Sequence, residues 1–273
     1  MLSPDLPARE LTPLEPAPHE GSAPRPSRQA HTCVGEVVLV GGGPGDPDLI
    51  TVAGLKALQS ADVVVVDHLA PVDLIEQLPP QVEIVDAAKH PRSRFTAQEE
   101  IHALLIDRAR AGRRVVRLKG GDGYVFGRGF EEVLALQEAG IAVRVIPGLT
   151  SPVAVPALAG IPLTHRGVVH EFTVVSGHIP PGHPDSLVDW TVLAGLRGTL
   201  VLLMAVENAG RIAQRLLGEG RPGEDLVAVI MDGSLPSQRV VRTTLGQLEG
   251  AITSEGIVPP AIIVIGAVVG LSG

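Results

Sequence analysis

The sequence predicts an α/β protein made of two α/β domains. The first observation is an alternation. From Val34 to Pro147, short runs of Val, Ile and Leu follow segments of helical periodicity in turn. The strand-like runs are apolar throughout, the pattern of a parallel sheet covered by helices on both faces. The second is a change of texture after Pro147, where "PGLTSPVAVPALAGIPLTHRG" is rich in Pro and Gly before strand-like runs resume. The third is composition. The chain has 273 residues, 45% hydrophobic but only 2% aromatic, so it has a core of Val, Leu, Ile and Ala.

The elements follow in order. Residues 1 to about 33 interleave Pro4, Pro7, Pro13, Pro16, Pro18, Pro24 and Pro26 with charges, Ser and Ala. Such a stretch buries too little apolar surface to offset its ordering entropy, and a disordered tail is expected over 1–33. "EVVLV" is a buried strand, "DLITVAGLKALQSA" a helix, "DVVVVD" a strand, "PVDLIEQL" a short helix and "VEIVDA" a strand. "TAQEEIHALLIDRARAG" opens on Thr96 with Glu99 three residues on, a capping box, and stops at Gly112. "RRVVRLKGGD" is a strand entering a glycine turn, "GFEEVLALQEAG" a helix and "IAVRVIPG" a strand. A domain boundary near residue 150 gives domains of 34–149 and 150–273. The second comprises "HEFTVVSG", "GTLVLLMAV", "DLVAVIMDG", "QRVVRTTL" and "PAIIVIGAVV" as strands, with "NAGRIAQRLLGEG" and "LGQLEGAITSEG" as helices. Because "SQRVVRTTL" alternates, it suits antiparallel pairing, and the second sheet is expected to be mixed.

Charge and cysteine content narrow the function classes. With 22 basic against 30 acidic residues and a net charge of −8, a general nucleic-acid binder is disfavoured, though a local basic cluster still serves an anionic small ligand. The single cysteine, Cys33, allows no internal disulfide and no cysteine-based metal site. The longest apolar run, "AIIVIGAVVGL" from Ala261, is too short for a bilayer, and the N-terminus lacks a signal-peptide pattern. A cytoplasmic protein is expected.

Two glycine turns carry the functional signal. In "EVVLVGGGPGDPDLIT", from Glu36 to Thr51, a strand meets a glycine turn and a helix start. The dinucleotide fingerprint G-x-G-x-x-G fails here in every register, although Asp67 supplies the acidic residue at the end of the next strand. Asp46 and Asp48 would repel a pyrophosphate at the helix start, and Pro44 and Pro47 remove two amide donors. A cationic or zwitterionic ligand suits the turn better, and a tight turn with Asp46 as a helix cap suits it equally.

The second turn, "RLKGGDGYVFGRGFEE" from Arg117 to Glu132, again follows a strand and precedes a helix. Two such turns on neighbouring parallel strands line the carboxyl edge of a sheet, where open α/β sheets bind ligands. Tyr124, Phe126, Lys119, Arg128 and Asp122 concentrate aromatic, cationic and acidic groups there. Downstream, "THRGVVHEFTVVSGH" adds His165, Arg166, His170 and His178, but the five-residue step from His165 to His170 misses the helical i, i+4 arrangement. No metal is expected.

Together these motifs resemble the uroporphyrinogen-III C-methyltransferases of the tetrapyrrole methylase superfamily. The matching pieces are "VGGGPGDPDLIT", "ADVVVVDHL", "RVVRLKGGDGYVFGRGFEE", "VIPGLTSPVAVPALAGIPLTHRG", "FTVVSGH" and "PPAIIVIGAVV", in the family's order from Val34 to Gly270. The resemblance implies two α/β domains of the tetrapyrrole methylase type, S-adenosylmethionine in the interdomain cleft, S-adenosylhomocysteine as its product, and a homodimer. It implies successive methyl transfers to rings A and B of uroporphyrinogen III, giving precorrin-2 for sirohaem or cobalamin. A later precorrin methyltransferase is the alternative within the fold, and an NAD-dependent oxidoreductase the alternative outside it. The chain departs from the family at Gly42, usually Ala, and at Gly123-Tyr124, usually Pro-Phe. The tail is too short for the oxidase/chelatase half of trifunctional sirohaem synthases.

The same resemblance sets the methyl donor against Pro44, Gly120, Gly121, Asp122, Val125, Thr150, Ser151, Met204, Gly233 and Ala261. Asp46 faces the cleft and accepts from pyrrole N–H groups. Arg128 and Arg166 bind the substrate's carboxylates, as paired guanidinium groups do well, with Lys89, Arg92 and Arg94 as a basic rim. The donor is already activated, so the enzyme's task is positioning followed by removal of one proton. Glu131, one helical turn after Arg128, is the candidate base; it also reads as an ordinary N-terminal helix glutamate.

Overall fold

The computed structural model of the protein describes residues 34–87 and 97–271. The tail expected over 1–33, the basic rim of Lys89, Arg92 and Arg94, and the capping residue Thr96 lie outside the described residues.

The first domain alternates as its pattern predicts. Its strands are β1 (Glu36–Gly41), β2 (Val63–Val66), β3 (Glu83–Asp86), β4 (Val115–Lys119) and β5 (Ala142–Ile146). Helices α1 (Val52–Gln59), α2 (Asp73–Glu76), α3 (Gln98–Arg110) and α4 (Gly129–Glu138) connect them. All strands pair in parallel, in the order β3-β2-β4-β1-β5. Period-two alternation gives the sheet two buried faces. Val38, Val40, Val64, Val66, Val116 and Leu118 pack with Leu58 of α1 and Leu74 of α2. Val37, Leu39, Val63, Val65 and Val115 pack with Leu105 of α3 and Leu136 of α4.

The second sheet is mixed, as expected. After α5 (Ser151–Leu158) come β6 (Phe172–Ser176), α6 (Trp190–Gly195), β7 (Thr199–Leu203), α7 (Ala209–Gly218), β8 (Leu226–Met231), β9 (Arg239–Thr244), α8 (Leu248–Ser254) and β10 (Ala261–Ile265). The order is β6-β7-β10-β8-β9. Only β6 and β7 pair in parallel, and β9, the alternating "RVVRTT", lies antiparallel to β8. Helices α6, α7 and α8 cover one face through Leu193, Ile212, Leu216 and Leu248. Val155 of α5 and the closing turn residues Val268 and Val269 cover the other. The two sheets form two domains. Since β5 ends the first sheet at Ile146 and α5 packs on β7 and β10, we propose that the boundary falls near residue 150.

The first helix starts later than its periodicity suggests. Asp46 caps only a short 3-10 turn, Pro47–Leu49, its carboxylate accepting from the Asp48 amide at 2.9 Å. Ile50 and Thr51 are extended, and the Thr51 hydroxyl accepts from Gly54 N to cap α1 proper. Pro47 at the first position of the 3-10 turn has no amide to donate. Helix α3 begins after Ala97, which makes no side-chain cap.

The carboxyl ends of β1, β4 and β5 meet through backbone. Gly42 N donates to Lys119 O at 2.7 Å, and Gly43 and Gly121 exchange two bonds of 3.1 and 2.6 Å. A Cβ on Gly41 would stand 2.5 Å from Gly148 N, and one on Gly148 would collide with Gly121 O. Gly148→Ala should therefore cost about 1–3 kcal/mol, as overpacking does. A thermal or denaturant melt checks it, and an unchanged midpoint would mean the junction yields.

Candidate active site

Two hollows adjoin at that carboxyl edge. The first, about 480 Å³, lies between the domains. Its walls are Pro44 and Gly45 after β1, the 67–73 segment after β2, the Gly120–Asp122 turn after β4, Thr150 and Ser151 at α5, and Leu203, Met204, Asp232, Leu235 and Pro260 from the second domain. The second, about 940 Å³, lies against β2, β3 and β4 and includes Arg117, Lys119, Arg128, Asp86, Gln98 and Ile101. Asp67, His68, Val72, Phe126, Gly127 and Met204 belong to both walls, so the hollows share one boundary. Both volumes fall within the range usual for small-molecule sites.

Their charged linings differ. The interdomain hollow has Asp67, Asp73, Asp122 and Asp232 in its wall and neither Lys nor Arg among the described residues. The larger one has Arg117, Lys119 and Arg128 against Asp67 and Asp86. An acidic wall with exposed glycine backbone suits a cationic or zwitterionic ligand and repels a pyrophosphate. Gly121 makes the close approach concrete. It sits at φ +64°, and a Cβ there would meet only Ser151 N at 3.8 Å, so its empty side faces the hollow. Met204 and Asp232 are held at φ +52° and Phe126 at +54°, which concentrates unusual backbone in the same wall.

Of the residues assigned to the methyl donor, Pro44, Gly120, Gly121, Asp122, Val125, Thr150, Ser151 and Met204 all line the interdomain hollow. Gly233 and Ala261 do not; their neighbours Asp232 and Pro260 do. Gly233 is small for another reason: a Cβ there would collide with Val155 of α5. Asp122 has a structural task as well. Its Oδ1 accepts from Tyr124 N and its Oδ2 from Gly148 N, both at 2.9 Å, tying the β4 turn to the end of β5.

The remaining assignments divide. Asp46 is half-buried and lines neither hollow; its amide donates to Ser234 Oγ at 3.0 Å, a clasp between the two domains. Arg128 lines the basic hollow, but its Nη2 and Nε pair with both Glu131 oxygens at 2.7 and 3.0 Å. Glu131 lines neither hollow. The hydrogen bonds from Arg128, backed by its charge and opposed by partial burial, hold the Glu131 carboxyl below its ordinary value and make it a weaker base. Arg166 is exposed and lines a separate hollow of about 400 Å³ with His170, Glu171 and Arg197, sharing no residue with the other two. Tyr124 stands edge-on to Phe130 at 5.7 Å, outside both main hollows. Among the described residues no three His, Cys, Asp or Glu side chains come together to hold a metal ion.

Asp67 is the residue whose role the motifs concealed. It follows β2 directly, and the β2–β4 register sets it beside Lys119, with Asp67 N donating to Leu118 O at 2.9 Å. It is the carboxylate common to both walls. In the sequence it reads only as the acidic end of a strand.

An acidic hollow adjoining one that holds three cations suits a positively charged ligand beside a negatively charged one. Residues 36–249 match the tetrapyrrole (corrin/porphyrin) methylases, and the chain belongs to that family. It is 45% identical over 236 residues to a uroporphyrinogen-III C-methyltransferase of Methanocaldococcus jannaschii, covering 86% of this chain and 97% of that one. A uroporphyrin-III C-methyltransferase of Thermus thermophilus, crystallised with S-adenosylhomocysteine, superposes with a TM-score of 0.73 at 40% identity, covering 87% of this chain and 100% of that one. A cobalt precorrin-4 methyltransferase of cobalamin biosynthesis superposes at 0.78 with 29% identity, covering 89% and 99%.

The Arg128–Glu131 pair gives a prediction with a defined sign. A carboxyl held low in the folded state adds stability above its unfolded pKa and loses it as pH falls through the folded value. Glu131→Gln should thus be less stable than the parent at neutral pH by no more than about 1 kcal/mol, as for exposed pairs generally. The gap should close in acid. Denaturant melts across pH read it, and a gap that persists below the carboxylate range would count against the ion pair.

Proposed function

We propose that this chain is an S-adenosylmethionine-dependent C-methyltransferase that methylates uroporphyrinogen III on rings A and B to give precorrin-2, the precursor of sirohaem and cobalamin. The observation that carries this reading is the contrast between two adjoining hollows, one with four carboxylates and neither Lys nor Arg in its wall among the described residues, the other with three cations in its wall. One suits a sulfonium with an amino acid tail, the other a polycarboxylate. The identity to uroporphyrinogen-III methyltransferases supports the substrate. The slightly better superposition on a cobalt precorrin-4 methyltransferase comes with lower identity, and fold alone does not choose a substrate.

When bound, S-adenosylmethionine supplies an activated methyl group on a sulfonium. The residues fit it: Gly120 and Gly121 offer backbone, Met204 a flexible thioether, and Asp67, Asp73, Asp122 and Asp232 a negative field. Phe126 and Met204, common to both walls, fix where donor and acceptor can meet. Arg128 at the rim of the basic hollow exchanges its Glu131 partner for a substrate carboxylate. The methylated ring must lose a proton, and Asp67 is better situated to take it than Glu131, because it borders both hollows. Asp46 serves as clasp to the second domain and as cap of the 3-10 turn.

The working unit in this reading is a cytoplasmic homodimer. Exposed apolar pairs support a partner copy: Phe130 and Leu134 one turn apart on α4, and Leu149 and Val153 at α5. The single Cys33 suits a reducing compartment.

Product analysis is the decisive test. Incubation with uroporphyrinogen III and labelled S-adenosylmethionine should yield a dimethylated product; label entering only precorrin-2 would instead assign a later precorrin step. Calorimetry supplies a second prediction: S-adenosylhomocysteine binds, and NAD, whose pyrophosphate meets the acidic wall, does not. Heat released on NAD titration would reopen the oxidoreductase reading.

A further inference from the structure

Four charged side chains meet at the basic hollow: Arg117, Lys119 and Asp67 line it, Glu132 does not, and all but Asp67 are buried. Arg117 and Lys119 are two apart on β4 and so share a face, the face packed by α3 and α4. Glu132, in the first turn of α4, is fully buried between them. Its Oε1 accepts from Lys119 Nζ at 2.9 Å, from Arg117 Nε at 3.3 Å and from Gln98 Nε2 at 3.2 Å, while its Oε2 has no hydrogen-bond partner among the described residues. Asp67 is the fourth, with its side chain 36% exposed against 4% or less for the others. The cluster is neutral: two cations, two carboxylates.

The distances divide the cations unequally. Arg117 Nη2 stands 3.6 Å and Lys119 Nζ 3.7 Å from the Asp67 oxygens, beyond hydrogen-bonding distance, while both groups bond to Glu132. A buried carboxylate with one oxygen unpaired among the described residues costs stability, and apolar side chains in place of all three buried charges would fill the same space at lower cost. Its presence calls for a use beyond packing.

We propose that Glu132 is a positioning residue that holds Arg117 and Lys119 back from Asp67, leaving the Asp67 carboxylate open to the acceptor. Asp67 then accepts from the His68 amide at 3.0 Å through Oδ1 and carries no hydrogen bond from either cation. Removing the Glu132 charge leaves two buried cations with one carboxylate between them, and both close on it. This inference rests on Asp67 as the proton acceptor. It goes further in naming what keeps that acceptor available.

The test uses the full chain and reads turnover, donor affinity and charge compensation together. Glu132→Gln should lower kcat by at least about tenfold, within the range of acid–base effects. S-adenosylhomocysteine affinity by calorimetry should stay within about twofold, because Glu132, Arg117 and Lys119 all lie outside the donor wall. The double variant Glu132→Gln/Lys119→Met restores neutrality and should turn over faster than Glu132→Gln alone, a rescue that a packing defect would not show. Parent-like kcat in Glu132→Gln overturns the proposal, and so does a double variant no faster than the single. Should Glu132→Gln lack a cooperative thermal transition, the double variant decides alone, and an inactive double overturns the proposal. Asp67→Asn, assayed in parallel, separates the two readings. If it turns over like the parent, the acceptor assignment fails; if it is dead while Glu132→Gln is parent-like, only the role of Glu132 fails.

Discussion

At the carboxyl edge of the first sheet, β1, β4 and β5 are joined by backbone contacts that leave no space for side chains. Gly41, Gly121 and Gly148 approach one another within the volume of a single methyl group. The Gly43–Gly121 exchange and the Asp122–Gly148 bond lock the three ends. Everything functional hangs from this junction. It directs the turn after β1 and the turn after β4 toward the same space, and hands the chain from Ile146 to Ser151 and the second domain. The interdomain hollow is the gap left above it. A side chain at Gly41 or Gly148 would push the two turns apart before it met any ligand.

From the junction outward, each wall follows from strand order. Because β4 is central, flanked by β2 and β1, its end and the turn after it reach both hollows: Gly120 and Gly121 line the interdomain one, Arg117 and Lys119 the basic one. Because β2 is its neighbour, Asp67 arrives at the boundary of the two. The second domain contributes less but closes the space. Met204, directly after β7, and Asp232, directly after β8, adopt left-handed backbone that turns the chain away at the cleft. The Asp46–Ser234 bond pins the first turn to the second domain.

The sequence made the fold legible because its signals are local. Apolar runs of four to six residues, helical spacing and glycine stops each act within one element, and every strand expected between Glu36 and Ile265 is present. The interdomain hollow's lining was nearly as legible, since it is built on the turns where the family motifs lie. What sequence did not disclose was pairing across space. Glu131 looks like a base until Arg128, folded back through left-handed backbone, is found gripping it. Asp67 looks like the end of a strand until β2 lies beside β4. Arg166 sits in a motif rich in cations, yet the turn closed by the His165–Val169 bridge carries it to a separate surface. Each needed a register or a loop path, and neither is written in spacing along the chain.

Charge is the remaining problem the fold solves. A chain of net charge −8 must admit a polycarboxylate and a sulfonium to neighbouring sites. Surface arginines alone would serve poorly, since exposed charges are screened and, as Arg128 with Glu131 demonstrates, readily find partners. Here two further cations are drawn into the sheet, where screening is weak, and a buried carboxylate keeps them from collapsing onto the exposed one. Arg117 and Lys119 thus stand beside the exposed Asp67 without bonding to it. On the other side of that residue the interdomain wall has Asp67, Asp73, Asp122 and Asp232 and neither Lys nor Arg among the described residues. The change from an acidic lining to a mixed one therefore falls at a single side chain, Asp67, the carboxylate that the two walls share.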